Sequence, residues 1–531
     1  MPLPRPTPWL RHKVAGLMAP LFSIRTEENF GIGEILDIIP LIDWMADHEL
    51  RVLQLLPMLE CAPGETSPYQ ALSSFACDPV YLSILNWKDF QNRAIFADLD
   101  SDATQQELAV LRGQPLVCYE RIRTLKNRLF EYAFTSFKKK EWQVQSRAAL
   151  DLQSFIDTKS HWLRDYALFR VIKEQHRWTS WLDWPEALRT RDSEALERFS
   201  AENGDRLLFI YYLQWLFWKQ WRRVRAHAAS RHVLLMGDLP FLPAIDSADL
   251  WSQAELFDTD ISIGAPPDDF SETGQDWGLP FFRWEMMQAK GFRWWRSRIS
   301  EARASFDLLR LDHLLGFFRV WVMPSRGEAH FEPDTDAAQI VRGETLLQAL
   351  LGEMDECIPI AEDLGLVPSY MTRILNRIGI AGMKVLRWEK EGAVYKDPRD
   401  YPFLSMATTG THDTATLREW WESAETEDKQ GFLEMLGETE DFSPAIPFTQ
   451  DLHRRILECL IGSDSALVVF PIQDILGQTD RINVPATIGG DNWRYRLPFP
   501  FSILDRHPAY REKMAALKAA IQRHRPGAHR T

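Results

Sequence analysis

Short apolar segments that close on polar residues recur eight times along the chain. They are VAGLMAPLFSI (14–24), RVLQLLPM (51–58), VLLMGDLP (233–240), FDLLRLDHLLGFF (306–318), CIPIAEDLG (357–365), AGMKVLRWE (381–389), LSMATTGTHD (404–413) and ALVVFPIQD (466–474). Runs this short and this apolar suit strands buried on both faces. Most are separated by amphipathic stretches of helical length, such as VPSYMTRILNRIGI. That alternation is expected of a parallel sheet with crossover helices, and eight such strands close a (β/α)8 TIM barrel of the α/β class.

The gap between the second and third segments is too long for one loop. It holds SFIDTKSHWLRDYALFRVIKEQHR and DRLLFIYYLQWLFWKQWRRVRAH, whose apolar residues fall at helical spacing, with Trp215, Trp218 and Trp221 three apart on a core face. Residues 85–230 are therefore read as a mainly helical insertion subdomain over one side of the barrel. Too little chain follows the eighth segment for a separate C-terminal β-domain, so residues 1–531 are read as one catalytic barrel with a solvated basic end, QRHRPGAHRT.

Charged residues inside apolar runs need a reason. On a strand the side-chain period is two, so Arg310 and Asp312 share one face while Leu309 and Leu311 share the other. In a barrel of this kind the C-terminal strand ends meet at one mouth, which brings Asp238, Asp312, Glu362 and Asp413 together. Like charges brought together destabilise one another, so packing alone does not account for four acidic strand ends.

Composition narrows the chemistry. With 61 basic against 75 acidic residues the chain is acidic, which disfavours nucleic acid as a partner. Its 21 Trp and 30 Phe exceed what a core needs, and planar rings suit sugar faces. Five scattered cysteines without a CxxC pair imply neither a disulfide framework nor a zinc site; no metal site and no cofactor is implied. The longest apolar stretch, LLFIYYLQWLFW (207–218), falls short of the roughly 20 residues of a membrane span. RHKVAGLMAPLF is interrupted by Gly16 and Pro20 and is read as a strand, not a leader, so the protein is read as cytoplasmic.

Paired carboxylates suit glycosidic-bond chemistry, one protonating the leaving oxygen while the other attacks the sugar carbon or activates water. Strand order pairs Asp312 with Glu362. Arg310 on the same face is expected to keep Asp312 ionised, whereas the apolar run IPIAED favours a protonated Glu362. Asp413 could bind the hydroxyls beside the reacting carbon.

The motifs SPYQALSSFA, GDLPFLPAIDSADLW, PPDDFSETGQDWGLP, LLRLDH, IAEDLG, GMKVLRW, TGTHD and INVPATIGGDNWRYRLP resemble, in order, the blocks of the 4-alpha-glucanotransferases of amylomaltase (disproportionating enzyme) type, relatives of the α-amylases. The resemblance implies transfer of α-1,4-glucan segments between maltodextrins by a retaining double displacement. It implies Asp312 as nucleophile, Glu362 as acid/base and Asp413 as transition-state stabiliser. Tyr69, Asp238, Arg310 and His412 match residues that hold the sugar at the cleavage point, Ser67 is a further substrate-binding candidate, and Trp277 lies on the loop that in this family lines the acceptor side. The lone His313 after the nucleophile is read as a support for the strand end. Departures from the family pattern stand at Thr414-Ala415-Thr416, Gly278-Leu279-Pro280, Ala486, where a Gly is common, and Asp269. An α-glucan hydrolase would use the same carboxylates with water, and a non-catalytic glucan-binding barrel would not retain them. An aldolase or isomerase on this barrel would want a Lys at a strand end or a phosphate-cradling Gly loop, and neither is seen.

Overall fold

The computed structural model describes residue 10 and residues 12–85, 87–267, 274–325, 327–438, 446–487 and 489–524. Asp269 and the last residues of the basic end, 525–531, lie outside the described residues. Eight strands form the barrel: β1 (Val14–Met18), β2 (Leu50–Gln54), β3 (Leu234–Leu239), β4 (Leu308–Leu311), β5 (Ile358–Ala361), β6 (Ala381–Val385), β7 (Ser405–Thr408) and β8 (Leu467–Pro471). Each pairs in parallel with its neighbours in chain order, and β8 closes on β1. Seven lie inside the segments read from the sequence, and β2 begins one residue earlier. β4, β7 and β8 are buried along their whole length, which is why their sequences lack the alternation of a half-exposed strand. Gly16 lets β1 and β2 approach, since a Cβ there would stand 2.7 Å from the Val52 carbonyl oxygen.

Between β2 and β3 the described regular elements are helical, among them Tyr119–Phe137, Arg147–Thr158, Ser160–Gln175 and Gly204–Ser230. The last of these packs on helix Ile38–Asp47 and on β3, so it is also the crossover helix that returns the chain to the barrel. Trp215 and Trp221 are buried in the core, as their spacing predicts, and Trp218 is partly buried against Phe155. The helices brace the loop after β2. Gln214 exchanges two hydrogen bonds with the Cys77 backbone (3.0 and 2.7 Å), Arg170 pairs with Glu60 (2.8 Å), and Arg123 grips both oxygens of Asp78 (2.8 and 2.6 Å).

Two features differ from the sequence reading. The segment 306–318 is not one strand: β4 stops at Leu311, His313 turns the chain with φ +43°, and a tight turn at Leu314–Phe317 follows. A second, four-stranded antiparallel sheet, Gln275–Phe282, Phe257–Ala265, Val320–Pro324 and His330–Glu332 in spatial order, flanks the mouth. Of this sheet the sequence reading has only the Trp277 stretch, as a loop, because the strands straddle the barrel's β4 and meet only in space. After β8 no strand occurs among the described residues, and helix Pro508–Arg523 ends the described chain. No described helix is long and apolar enough to cross a membrane, and the five cysteines are unpaired thiols.

Candidate active site

Register assembles the centre. Asp238 on β3, Arg310 on β4 and Ile360 on β5 stand side by side, as do Leu239, Leu311 and Ala361 one step further along. The next step is Asp312 and Glu362, and the ladder continues to them: the Asp312 N–H donates to the Leu239 carbonyl (3.2 Å) and the Glu362 N–H to the Leu311 carbonyl (3.1 Å). Two carboxylates thus stand at equivalent positions on neighbouring strands, whose spacing is about 4.8 Å.

Beneath them lies Arg310, with Asp238. One guanidinium nitrogen, Nη1, donates to both Asp238 oxygens (2.7 Å each) and to Asp312 Oδ1 (2.9 Å), while Nη2 pairs with Glu362 Oε2 (3.0 Å). The Arg310 and Asp238 side chains are 3% and 0% exposed, against 21%, 20% and 45% for Asp312, Glu362 and Asp413, so the latter three are the carboxylates open to a ligand. Splitting a buried pair such as Arg310–Asp238 costs about 3–5 kcal/mol, which makes it a fixed floor. The Tyr69 hydroxyl donates to Asp238 Oδ2 (2.8 Å), and its ring stacks on His412 at 5.3 Å. Trp493 packs against both rings, at 5.5 and 5.6 Å.

Asp413 sits in a loop after β7. His412 Nε2 lies 3.2 Å from its Oδ2, Asn483 Nδ2 donates to its Oδ1 (2.6 Å), and Arg481 donates to its carbonyl (3.1 Å). Asp474, in the short helix Ile472–Leu476 that follows β8, pins this loop through Thr409 Oγ1 and the Leu417 N–H, both at 2.6 Å. Thr416 caps helix Leu417–Ser423 with Glu419 in a reciprocal capping box, so the departure at 414–416 builds the loop's exit and leaves Asp413 in place. Ala486 has φ +61°, the left-handed conformation that a Gly adopts without strain.

Electrostatics separates the carboxylates in an unexpected way. Burial pushes the Asp312 carboxyl above its ordinary value; Arg310 opposes this and Glu362 adds to it. The expectation that Arg310 holds Asp312 low is therefore corrected. A single guanidinium is shared by Asp238, Asp312 and Glu362, and it cannot offset three enclosed negative charges. Burial likewise raises Asp238 against the pull of Arg310. For Asp413 burial also acts upward, but His412, Asn483 and Arg310 together outweigh it and hold the carboxyl down at about 2. Burial pulls the His313 imidazole down to about 4, which leaves the ring neutral at pH 7.

His313 thus serves through its backbone and its ring face. Its N–H donates to Glu362 Oε2 at 2.6 Å, and its ring stands between Phe241 (5.6 Å) and Trp277 (4.9 Å, edge to face). Trp277 lies on an edge strand of the second sheet, not on a loop. Ser67 is two residues from Tyr69, and its Oγ accepts the Tyr69 N–H at 3.4 Å, which shapes the turn. Sequence reasoning did not single out Arg481, Asn483 and Trp493. The signal was the block that follows β8, where Asn483 and Trp493 stand in INVPATIGGDNW without any role in a regular element.

The profile of the 4-alpha-glucanotransferase family, glycoside hydrolase family 77, matches residues 19–502. A 4-alpha-glucanotransferase of Chlamydia pneumoniae is 33% identical over 503 residues, 91% of each chain. One from Thermus thermophilus is 31% identical over 477 residues, covering 88% of this chain and 91% of its own. The structure of an amylomaltase from Streptococcus agalactiae in complex with acarbose superposes with a TM-score of 0.81 at 23% identity, covering 96% of this chain and 99% of the other. An amylomaltase from Corynebacterium glutamicum gives 0.76 at 21% identity, covering 95% and 75%. Those two likenesses establish the fold, and the sequence matches establish more: this chain belongs to the 4-alpha-glucanotransferase family and is a 4-alpha-glucanotransferase.

Proposed function

We propose that the enzyme moves α-1,4-glucan segments between maltodextrins by a retaining double displacement in which Asp312 is the nucleophile. The observation that carries this reading is the register of Asp312 and Glu362 on adjacent strand ends. A strand spacing of about 4.8 Å suits the roughly 5–5.5 Å between carboxyl groups in retaining enzymes better than the wider gap that holds a water in inverting ones. Asp312 attacks the anomeric carbon as the glycosidic oxygen leaves with a proton from Glu362. An incoming 4-hydroxyl then returns a proton to Glu362, attacks the same carbon and releases Asp312. Both contacts of Glu362 fall on Oε2, so Oε1 is the oxygen offered to the scissile bond. Asp413, held ionised, accepts hydroxyls beside the reacting carbon as positive charge develops there. Ser67, Tyr69, Asp238, Arg310 and His412 shape the wall that seats that sugar. Residues 85–230 act as a subdomain that braces this wall through Gln214, Arg170 and Arg123. The unpaired thiols suit a reducing, cytoplasmic setting.

Transfer has to overcome water. At roughly 55 M, water outnumbers a sugar acceptor at about 5 mM by some 10⁴, or about 5.5 kcal/mol. Trp277, beside His313 at the mouth, offers an incoming sugar an aromatic face and displaces water in the same act. With maltotriose as sole substrate, the expected products are glucose and a ladder of longer maltodextrins at a nearly constant number of reducing ends. Trp277→Ala is expected to lower transfer more than hydrolysis. Reducing ends that rise in step with maltotriose loss, without a ladder, would establish the hydrolase alternative.

A further inference from the structure

Helix Arg293–Ser305 packs behind β3 and β4 and carries Arg298, which is 1% exposed. Its guanidinium lies over the rings of Trp294 (4.7 Å) and Trp295 (4.9 Å). Nη2 donates to the Pro240 carbonyl at 2.6 Å, and Nη1 reaches the Phe241 carbonyl at 3.5 Å. The Pro240 carbonyl and the Phe241 N–H are two ends of one planar, resonant peptide unit. On the far side that N–H donates to Asp312 Oδ2 at 3.2 Å. A buried cation, a peptide group and the carboxylate at the reaction centre therefore stand in series.

We infer that Arg298 is a positioning residue for the glucanotransferase reaction: through the Pro240–Phe241 peptide it strengthens the N–H donor that fixes Asp312 and favours its ionised form. The inference rests on the reading of Asp312 as nucleophile. A hydrogen bond to a carbonyl polarises the whole amide, and chains of such bonds reinforce one another where the local dielectric is low. A carboxylate that accepts an N–H is favoured in its charged form. With Oδ1 held by Arg310 and Oδ2 by the Phe241 N–H, the carboxylate plane is fixed from two sides.

Burying a guanidinium without a carboxylate partner is expensive. Arg298 makes no direct ion pair among the described residues, and Asp249 and Asp312 act on it only through space. Asp249 is already occupied by the Ser74 N–H and Trp294 Nε1, both at 2.8 Å. Burial lowers the guanidinium to about 10, which still leaves it charged at neutral pH. The packing of the Phe241 ring against Trp295 (6.1 Å), Phe317 (5.7 Å) and His313 (5.6 Å) keeps the intervening peptide in place.

The charged and titratable groups that face Asp312 are Arg310, Glu362 and His313, with Asp238 and Tyr69 beyond; Arg298 adds to the positive side of that balance. Its loss must then raise the pH at which Asp312 ionises. The test is the pH profile of kcat/KM for maltotriose. Arg298→Met is expected to move the acid limb up by about one pH unit, a tenfold loss of ionised Asp312 below it. Arg298→Lys, which keeps the charge, should recover at least half of that shift. Replacing the Pro240–Phe241 amide by an ester, using the hydroxy-acid analogue of Phe at 241 in the full-length chain, removes the N–H and should give the same shift by itself. Arg298→Met in that background should add little. An unmoved acid limb in folded Arg298→Met, a Lys variant as impaired as the Met variant, or a full additional shift in the ester background would each overturn the inference. Should Arg298→Met not fold, an ester variant with an unmoved limb overturns it equally. Covalent labelling of Asp312 in protein with Arg298 intact tests the nucleophile assignment separately.

Discussion

Asp312→Ala is expected to lower maltotriose turnover by on the order of 10⁴ to 10⁶-fold, the span seen when single members of a nucleophilic catalytic unit are removed, with the fold intact and sugar binding largely retained. Binding should survive because the groups proposed to seat the sugar are held independently of Asp312: Tyr69 by Asp238, Asp238 by Arg310, and Asp413 by His412 and Asn483. Stability provides an internal control. Burial raises the Asp312 carboxyl above its unfolded value. A carboxyl shifted in that direction withdraws stability as pH rises past the unfolded value, and the penalty is complete above the folded one. At pH 7 the Ala variant should therefore unfold at the same temperature as the parent or a higher one. Steady-state rates, maltotriose binding by calorimetry and thermal unfolding on one preparation check all three statements. A variant that keeps more than a few per cent of activity removes the nucleophile assignment, and one that loses activity only by unfolding leaves the mechanism without this support.

Glu362→Gln is expected to cost about 10² to 10⁴ in rate on maltotriose, the usual worth of a general acid–base group. Its substitution keeps the shape and the hydrogen-bond acceptor that Arg310 and the His313 N–H hold, so the protein should fold normally. Leaving-group chemistry makes the experiment diagnostic. Fluoride departs with little protonation, so α-glucosyl fluoride should still glucosylate the Gln variant at a rate near that of the parent. The second step still needs a base for the acceptor hydroxyl, so the covalent intermediate should accumulate. Equal losses with fluoride and maltotriose would remove Glu362 from the acid role.

The barrel was legible in the sequence because its strands are short apolar runs, mostly buried and in β4, β7 and β8 buried throughout, that alternate with amphipathic stretches of helical length. The carboxylates were legible for a related reason. Asp312 and Glu362 are the first residues past β4 and β5, and a strand end in a parallel barrel has one place to point. The flanking sheet was not legible, since Phe257–Ala265 and Val320–Pro324 pair across an intervening barrel strand, and local alternation does not encode such partners. Nor was the sign of the Asp312 shift. Sequence spacing revealed that Arg310 shares a face with Asp312, but only the register of β3, β4 and β5 shows that Asp238 and Glu362 compete for the same guanidinium. Arg298 escaped for the same cause: its link to Asp312 runs through a peptide group of another strand's end.

The most direct test of the account is to trap the intermediate. Glu362→Gln protein is mixed with α-glucosyl fluoride, quenched in acid, digested and analysed by mass spectrometry. The account predicts one added anhydroglucose unit on the peptide that contains Asp312, and its absence when Asp312→Ala is combined with Glu362→Gln. A label on another residue, or turnover of the fluoride without any adduct and with inversion at the anomeric carbon, would contradict it.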